Sequence, residues 1–211
     1  MLSNTGCLFH DRETAAKELV AELDHLKSNQ GIVLAVPRGG IPLGRVISDR
    51  LSWPMEPLMI KKLGHPQNPE YAIGAVSIDE VFLDGAHPEV SAGYIQRETE
   101  RLQLLLQQRQ KLFLQGRKPA AVNGKTVLIV DDGAATGKTL VAAVKSVRRS
   151  EPKRIIVAVP VASAEAVERL ERVADEVVCL ATPDDFFGVG QFYELFPQVE
   201  DEEVRQLLSL K

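Results

Sequence analysis

Cysteine is scarce in this chain of 211 residues, which carries only Cys7 and Cys179. Two thiols so far apart in sequence exclude a disulfide framework and read as free thiols. There is no C-x-x-C, and His10, His25, His65 and His87 do not fall at metal-ligand spacing, so a zinc site is not expected. No apolar run approaches the ~20 residues needed to span a bilayer. The first twenty residues also lack a basic start followed by an apolar stretch, which argues against a secretory signal and for a cytoplasmic protein. Positive charge is not in excess: 25 Lys and Arg face 29 Asp and Glu, for a net charge of −4. General attraction to nucleic acid or an anionic membrane is therefore not implied, and any anion site must be local. Internal repeats and low-complexity linkers are lacking too, so one domain over 1–211 is expected.

What is present alternates. Residues 11–29 place Ala16, Leu19, Val20, Leu23 and Leu26 at spacings of three and four, predicting an amphipathic helix with Asp11 as N-cap and Gly31 as its stop. GIVLAVPRGG reads as a strand buried on both faces, IPLGRVISDRL as a helix, and PLMIKKL (57–63) as the next strand. GHPQNPE (64–70) has the Gly, Pro and Asn of a mobile loop, followed by AIGAVSI and VFLD as short strands. A long helical pattern spans about 88–115. TVLIVD, RIIVAVP and EVVCLA then alternate with GKTLVAAVKSVRR and SAEAVERLERVA. Strands alternating with helices of 10–15 residues predict an α/β fold, mainly a parallel sheet with helices on both faces. The tail from 182 changes composition: Phe186, Phe187, Phe192, Tyr193 and Phe196 fall within eleven positions.

The stretch VLIVDDGAATGKT (127–139) carries the chemistry. A Walker A loop needs four residues between its glycines, but Gly133 and Gly137 are separated by three, and Asp132 stands where the wrapping glycine should be. A carboxylate there opposes a triphosphate. The loop can instead hold one phosphate monoester on the unpaired N–H groups opening a helix, with hydroxyls from Thr136 and Thr139 and charge from Lys138. Asp131 and Asp132 end the strand, where ligands of open α/β sheets bind, and can accept hydrogen bonds from vicinal hydroxyls or hold a hydrated Mg²⁺. Phosphate beside diol describes a ribose 5-phosphate.

Four apolar residues (127–130), the acids Asp131 and Asp132, and the loop Gly133, Ala134, Ala135, Thr136, Gly137, Lys138, Thr139 resemble the signature of the type I phosphoribosyltransferases. F-x-D-R at 9–12, VPRGG, KKLG with NPE and AIGAV, and VGQFY extend the likeness to a group of bacterial predicted phosphoribosyltransferases along nearly the whole chain. The resemblance implies phosphoribosyl diphosphate (PRPP) as donor, with its 5-phosphate on 133–139 and its hydroxyls on Asp131 and Asp132. Its pyrophosphate would lie on Arg38, Gly39 and Gly40, next to a cis Pro37–Arg38 peptide and the pair Lys61 and Lys62. Mg²⁺ would enter mainly through PRPP, with Asp131 and Asp132 as further ligands. Residues 64–70 would join a flexible lid. About 182–200 would form a hood in which Phe186, Phe187 or Tyr193 stacks on a nitrogenous acceptor such as a nucleobase. Relatives are often homodimers, and the Gln-rich helix is a surface for that. Hypoxanthine-guanine enzymes carry an Asp three residues after the second acid, where this chain has Ala135, which speaks against a 6-oxopurine acceptor handled in that way. A non-catalytic PRPP- or nucleotide-sensing module of the same fold is the alternative.

Overall fold

The computed structural model describes residues 7–27 and 30–209. Five parallel strands form the central sheet: β1 (Gly31–Ala35), β2 (Met55–Pro57), β6 (Thr126–Val130), β7 (Arg154–Val161) and β8 (Glu176–Ala181), in the order β2-β1-β6-β7-β8. Each pairs in parallel with its neighbours, β1 matching β6 from Gly31↔Thr126 to Ala35↔Val130. Successive side chains of a strand point to opposite faces, and here both faces are covered. Val33, Ala35, Leu128 and Val130 pack with α1 (Arg12–Glu22) and α2 (Gly40–Leu51). Ile32, Leu34, Val127 and Ile129 pack with α4 (Lys138–Arg148) and α5 (Ala164–Glu171). This two-sided burial is why the strands read as continuous apolar runs.

A second, antiparallel sheet is built from β3 (Ile60–His65), β4 (Asn68–Ser77) and β5 (Val81–Leu83). The helix α3 (Ala92–Leu114) packs on it, and the Tyr94 hydroxyl donates to the Gly64 carbonyl at 2.8 Å. α6 (Asp201–Ser209) packs against α2 and α3. Among the described residues no helix is long and apolar enough to cross a membrane.

Several expectations need correction. The run 57–63 is not one strand. β2 ends at Pro57, where the Leu58 amide makes the last bond to β1 at the Ala35 carbonyl (2.8 Å); the Ile60 amide then closes a tight turn on the Leu58 carbonyl at 2.9 Å, and Ile60 opens a strand of the other sheet. Nor is 64–70 a loop: β3 and β4 form a hairpin with His65 paired to Asn68, and shifts of register at Gly64 use the Gly and Pro that suggested mobility. The first helix stops at Glu22 and continues as a 3₁₀ turn over Asp24–Leu26. Ser28 and Asn29, the end of the expected helix, lie outside the described residues. Asp11 does cap the helix, accepting from the Thr14 amide at 2.8 Å.

Gly31 begins β1 and is not a helix stop. A Cβ built there would lie 2.4 Å from the ring of Trp53, which is itself buried in the core. Gly31→Ala should therefore destabilise the fold by about 1–3 kcal/mol through overpacking. Chemical denaturation would show this as a lowered midpoint at unchanged slope.

Candidate functional site

β1 and β6 lie side by side and end together, each running into a loop that leads to a helix. The loop after β6 enters α4 through Gly137, whose φ of +68° is a conformation glycine adopts without strain. A Cβ there would also press within 3.1 Å of the Ala166 backbone. Ala134 is pinned to β7 by donating to the Val161 carbonyl at 2.9 Å, and Ser163 Oγ donates to the Ala135 carbonyl at 2.7 Å. These bonds hold the loop from outside. The backbone N–H groups of 135–139 make no hydrogen bond to the described residues. They are the open donors of a helix N-terminus, suited to a dianion.

The two acids stand beside this cradle. Asp131 Oδ1 accepts the Asp132 N–H at 2.9 Å. Asp132 Oδ2 accepts a hydrogen bond from Nε of Arg12 at 3.0 Å and lies 2.9 Å from its Nη2 as an ion pair. Among the described residues the remaining oxygens, Asp131 Oδ2 and Asp132 Oδ1, accept no hydrogen bond. Each acid thus spends one oxygen on the protein and leaves one open, the pattern that two vicinal hydroxyls require. The loop after β1 fits against the pair closely: a Cβ on Gly39 would fall 2.0 Å from Asp132 Oδ2, and one on Gly40 would fall 2.6 Å from the Val130 carbonyl. The Pro37–Arg38 peptide in this loop is cis.

Cations flank the same loop. Arg38 faces Glu200 at 3.3 Å and Asp201 at 3.8 Å, and Arg109 of α3 reaches Asp201 at 3.5 Å. Pro37, Lys61 and Arg109 line one small cavity. Lys61 is half-buried and its ammonium is held below its ordinary pKa, by burial first and then by Arg109, Arg101, Arg38 and Lys62. Such a gathering of like charges favours an anion among them.

Comparison with known proteins agrees with this geometry. The model of the phosphoribosyl transferase domain matches residues 8–196. The chain belongs to that family. A Mycobacterium tuberculosis (H37Rv) protein provisionally named a phosphoribosyl transferase is 40% identical over 209 residues, covering 96% of this chain and 46% of that protein. The chain thus spans about half the length of the curated relatives it matches. The crystal structure of TT1426 from Thermus thermophilus is 40% identical, covers 95% of this chain and 97% of that one, and superposes with a TM-score of 0.81. A hypoxanthine phosphoribosyltransferase from Staphylococcus aureus, at 14% identity, shares the fold with a TM-score of 0.51 over 86% of this chain and 79% of its own.

Within this phosphoribosyl transferase domain some expected site residues lie elsewhere than the motif suggested. Lys138 supplies its backbone N–H to the loop, but its ammonium turns away, pairing with Asp84 at 2.8 Å and donating to the Ala72 carbonyl at 2.9 Å. Its charge therefore ties α4 to the small sheet instead of serving the cradle. Lys61 and Lys62 sit inside β3 of that sheet and do not end a strand of the parallel one. Tyr193, 4% exposed, has no free face for stacking: its ring packs between Phe9 and Phe196, and its hydroxyl donates to the Asp132 carbonyl at 2.7 Å. Phe186 is turned inward against Phe192. Phe187 is 91% exposed on a turn shaped by Gln191, whose Oε1 accepts the Phe187 and Gly188 amides. That turn leans on the loop after β6, since a Cβ on Gly133 would meet Val189 at 2.6 Å. Sequence reasoning missed Arg12 as a site residue. Its only signal was the F-x-D-R stretch at 9–12.

Burial pushes the carboxyls of both Asp131 and Asp132 above the usual carboxylate range. The neighbouring charge of Asp132 raises Asp131 further, whereas Arg12 pulls Asp132 back. A carboxyl whose folded pKa exceeds its unfolded value near 3.8 contributes stability that is complete below that value and lost as pH rises through the folded pKa. At neutral pH the charge on Asp131 therefore weakens the fold. Asp131→Asn should raise the melting temperature at pH 7.5. Thermal melts at a series of pH values should show the gain shrinking as pH falls toward 4.

Proposed function

We propose that this chain is a phosphoribosyltransferase domain that binds PRPP and displaces pyrophosphate from ribose C1 with a nitrogenous acceptor. The observation carrying this reading is the adjacency of the open N–H groups at 135–139 to two acids that each keep one oxygen unbonded. The cradle would take the 5-phosphate, helped by the hydroxyls of Thr136 and Thr139. Asp131 Oδ2 and Asp132 Oδ1 would accept from the 2- and 3-hydroxyls and sit near the positive charge that develops on the ribose as the C1–O bond breaks. Arg38, Lys61 and Lys62, with the backbone at Gly39 and Gly40, would receive the departing pyrophosphate. Holding the donor at both ends fixes C1 between them and directs remote binding energy to the reacting carbon.

The site fits Mg²⁺ brought in by PRPP. Among the described residues no group of three or more His, Cys, Asp or Glu side chains is arranged to hold an ion. A cation at the open oxygens of Asp131 and Asp132 would therefore complete its shell from substrate oxygens and water, supplying charge neutralisation of the leaving group.

On the acceptor side, 182–200 supports the role of hood, with exposed Phe187 as the ring available for stacking. Ala135, exposed in the loop, supplies a methyl where an acid would handle a purine ring proton. We therefore favour acceptors other than a 6-oxopurine handled that way. The exposed Leu104 and Leu112 of α3 support a homodimer through that helix.

Incubating the protein with PRPP, Mg²⁺ and a panel of nucleobases and small amines should release pyrophosphate with at least one acceptor. The double variant Asp131→Asn, Asp132→Asn should lose tenfold or more in PRPP affinity by calorimetry, as expected on losing two charge-assisted hydrogen bonds. Tight PRPP binding without turnover on any acceptor would instead identify a sensing module. Failure of the wild type to bind PRPP would overturn the site.

A further inference from the structure

The ion pair of Arg12 is the feature that the motif does not account for. We propose that Arg12 is a positioning residue of the ribose-phosphate site, holding the Asp132 carboxylate in the rotamer that offers Oδ1 to a sugar hydroxyl. This inference rests on the reading above and adds a residue to it.

Arg12 is 9% exposed, and each of its guanidinium nitrogens has a partner. Nε donates to Asp132 Oδ2 and Nη2 lies 2.9 Å from the same oxygen, while Nη1 donates to the Pro197 carbonyl at 2.8 Å. The Phe196 ring lies beneath, 3.7 Å from Cζ. Three contacts, one from Asp132 and two from the adjacent Phe196 and Pro197, leave the guanidinium a single pose. The carboxylate is fixed in turn, because Gly39 closes one side of it and the Tyr193 hydroxyl holds the Asp132 carbonyl. Rotation about the Asp132 side chain would break a charge-assisted hydrogen bond and separate the ion pair at once. A lysine cannot reproduce this, since one ammonium would have to reach Asp132, Pro197 and Phe196 together. A purely structural ion pair would need only the charge. Here both donors converge on one oxygen and spare the other, so the pairing also decides which atom of Asp132 a ligand meets.

The experiment compares two probes by calorimetry, inorganic phosphate and ribose 5-phosphate. Phosphate needs only the cradle, whereas the sugar phosphate also needs the acids. Arg12→Gln should bind phosphate as the wild type does and ribose 5-phosphate at least tenfold more weakly. Arg12→Lys should recover only part of that loss. The double variant Arg12→Gln, Asp132→Asn should bind ribose 5-phosphate no worse than Asp132→Asn alone, because Arg12 acts through that carboxylate. Should Arg12→Gln fail to fold, Phe196→Leu, which removes the ring and keeps the charge, should give a smaller loss confined to the sugar phosphate. Equal loss of both probes, or a double variant whose losses add, would reduce Arg12 to a structural role and overturn the proposal. A wild type that binds neither probe would instead refute the phosphoribosyltransferase reading.

Discussion

Two adjacent carboxylates at the end of the central strand are the constraint that organises this molecule. Removing them from water is unfavourable unless each finds a partner, and the surrounding structure supplies partners from distant segments. Arg12, from the first turn of α1, pairs with the Asp132 carboxylate, the Asp132 amide donates to that of Asp131, and the Tyr193 hydroxyl holds the backbone carbonyl of Asp132. The loop after β1 must also come close enough to share the site. Glycine at 39 and 40 is the only residue small enough, given how near a Cβ would fall to Asp132 and Val130. The glycine pair and the buried arginine are thus parts of one packing problem solved around two charges.

Charge is partitioned across the site. One side holds the acids, restrained by a single guanidinium. The other gathers Arg38, Lys61, Lys62, Arg101 and Arg109 around β3 and α3, offset by Glu200 and Asp201 at the start of α6. A donor with hydroxyls at its centre and a highly charged leaving group would meet the matching sign at each end. The carboxylates of α6 stand in for an anion on Arg38 and Arg109, so those cations are paired before any ligand arrives.

Much of this was readable from residues. The parallel sheet followed from continuous apolar runs alternating with helical stripes, and the open N–H groups at 135–139 from small residues between two acids and a helix. What escaped reading depended on contacts remote in sequence. Lys138 stands in the motif, yet its ammonium is claimed by Asp84 and Ala72 of a sheet that local pattern did not separate from the first. Gly, Pro and Asn at 64–70 fit a loop and a bulged hairpin equally well until the partner strand is known. Tyr193 looked like a stacking ring because an aromatic carries no mark of which neighbours will bury it. Arg12 is an ordinary helix-start arginine until Asp132, 120 residues away, is brought beside it.

The contact of Arg12 with both Asp132 and Pro197 bears on how the protein is made. The motif at 127–139 can form its strand and turn once that part of the chain is available, but its second acid then faces no cation locked in place. The guanidinium gains its carbonyl and its ring only when Phe196 and Pro197 have emerged, and Arg38 meets Glu200 and Asp201 a few residues later. During synthesis the parallel sheet can therefore assemble ahead of the Arg12–Asp132 pairing, whose full set of contacts is complete only once Phe196 and Pro197 have left the ribosome.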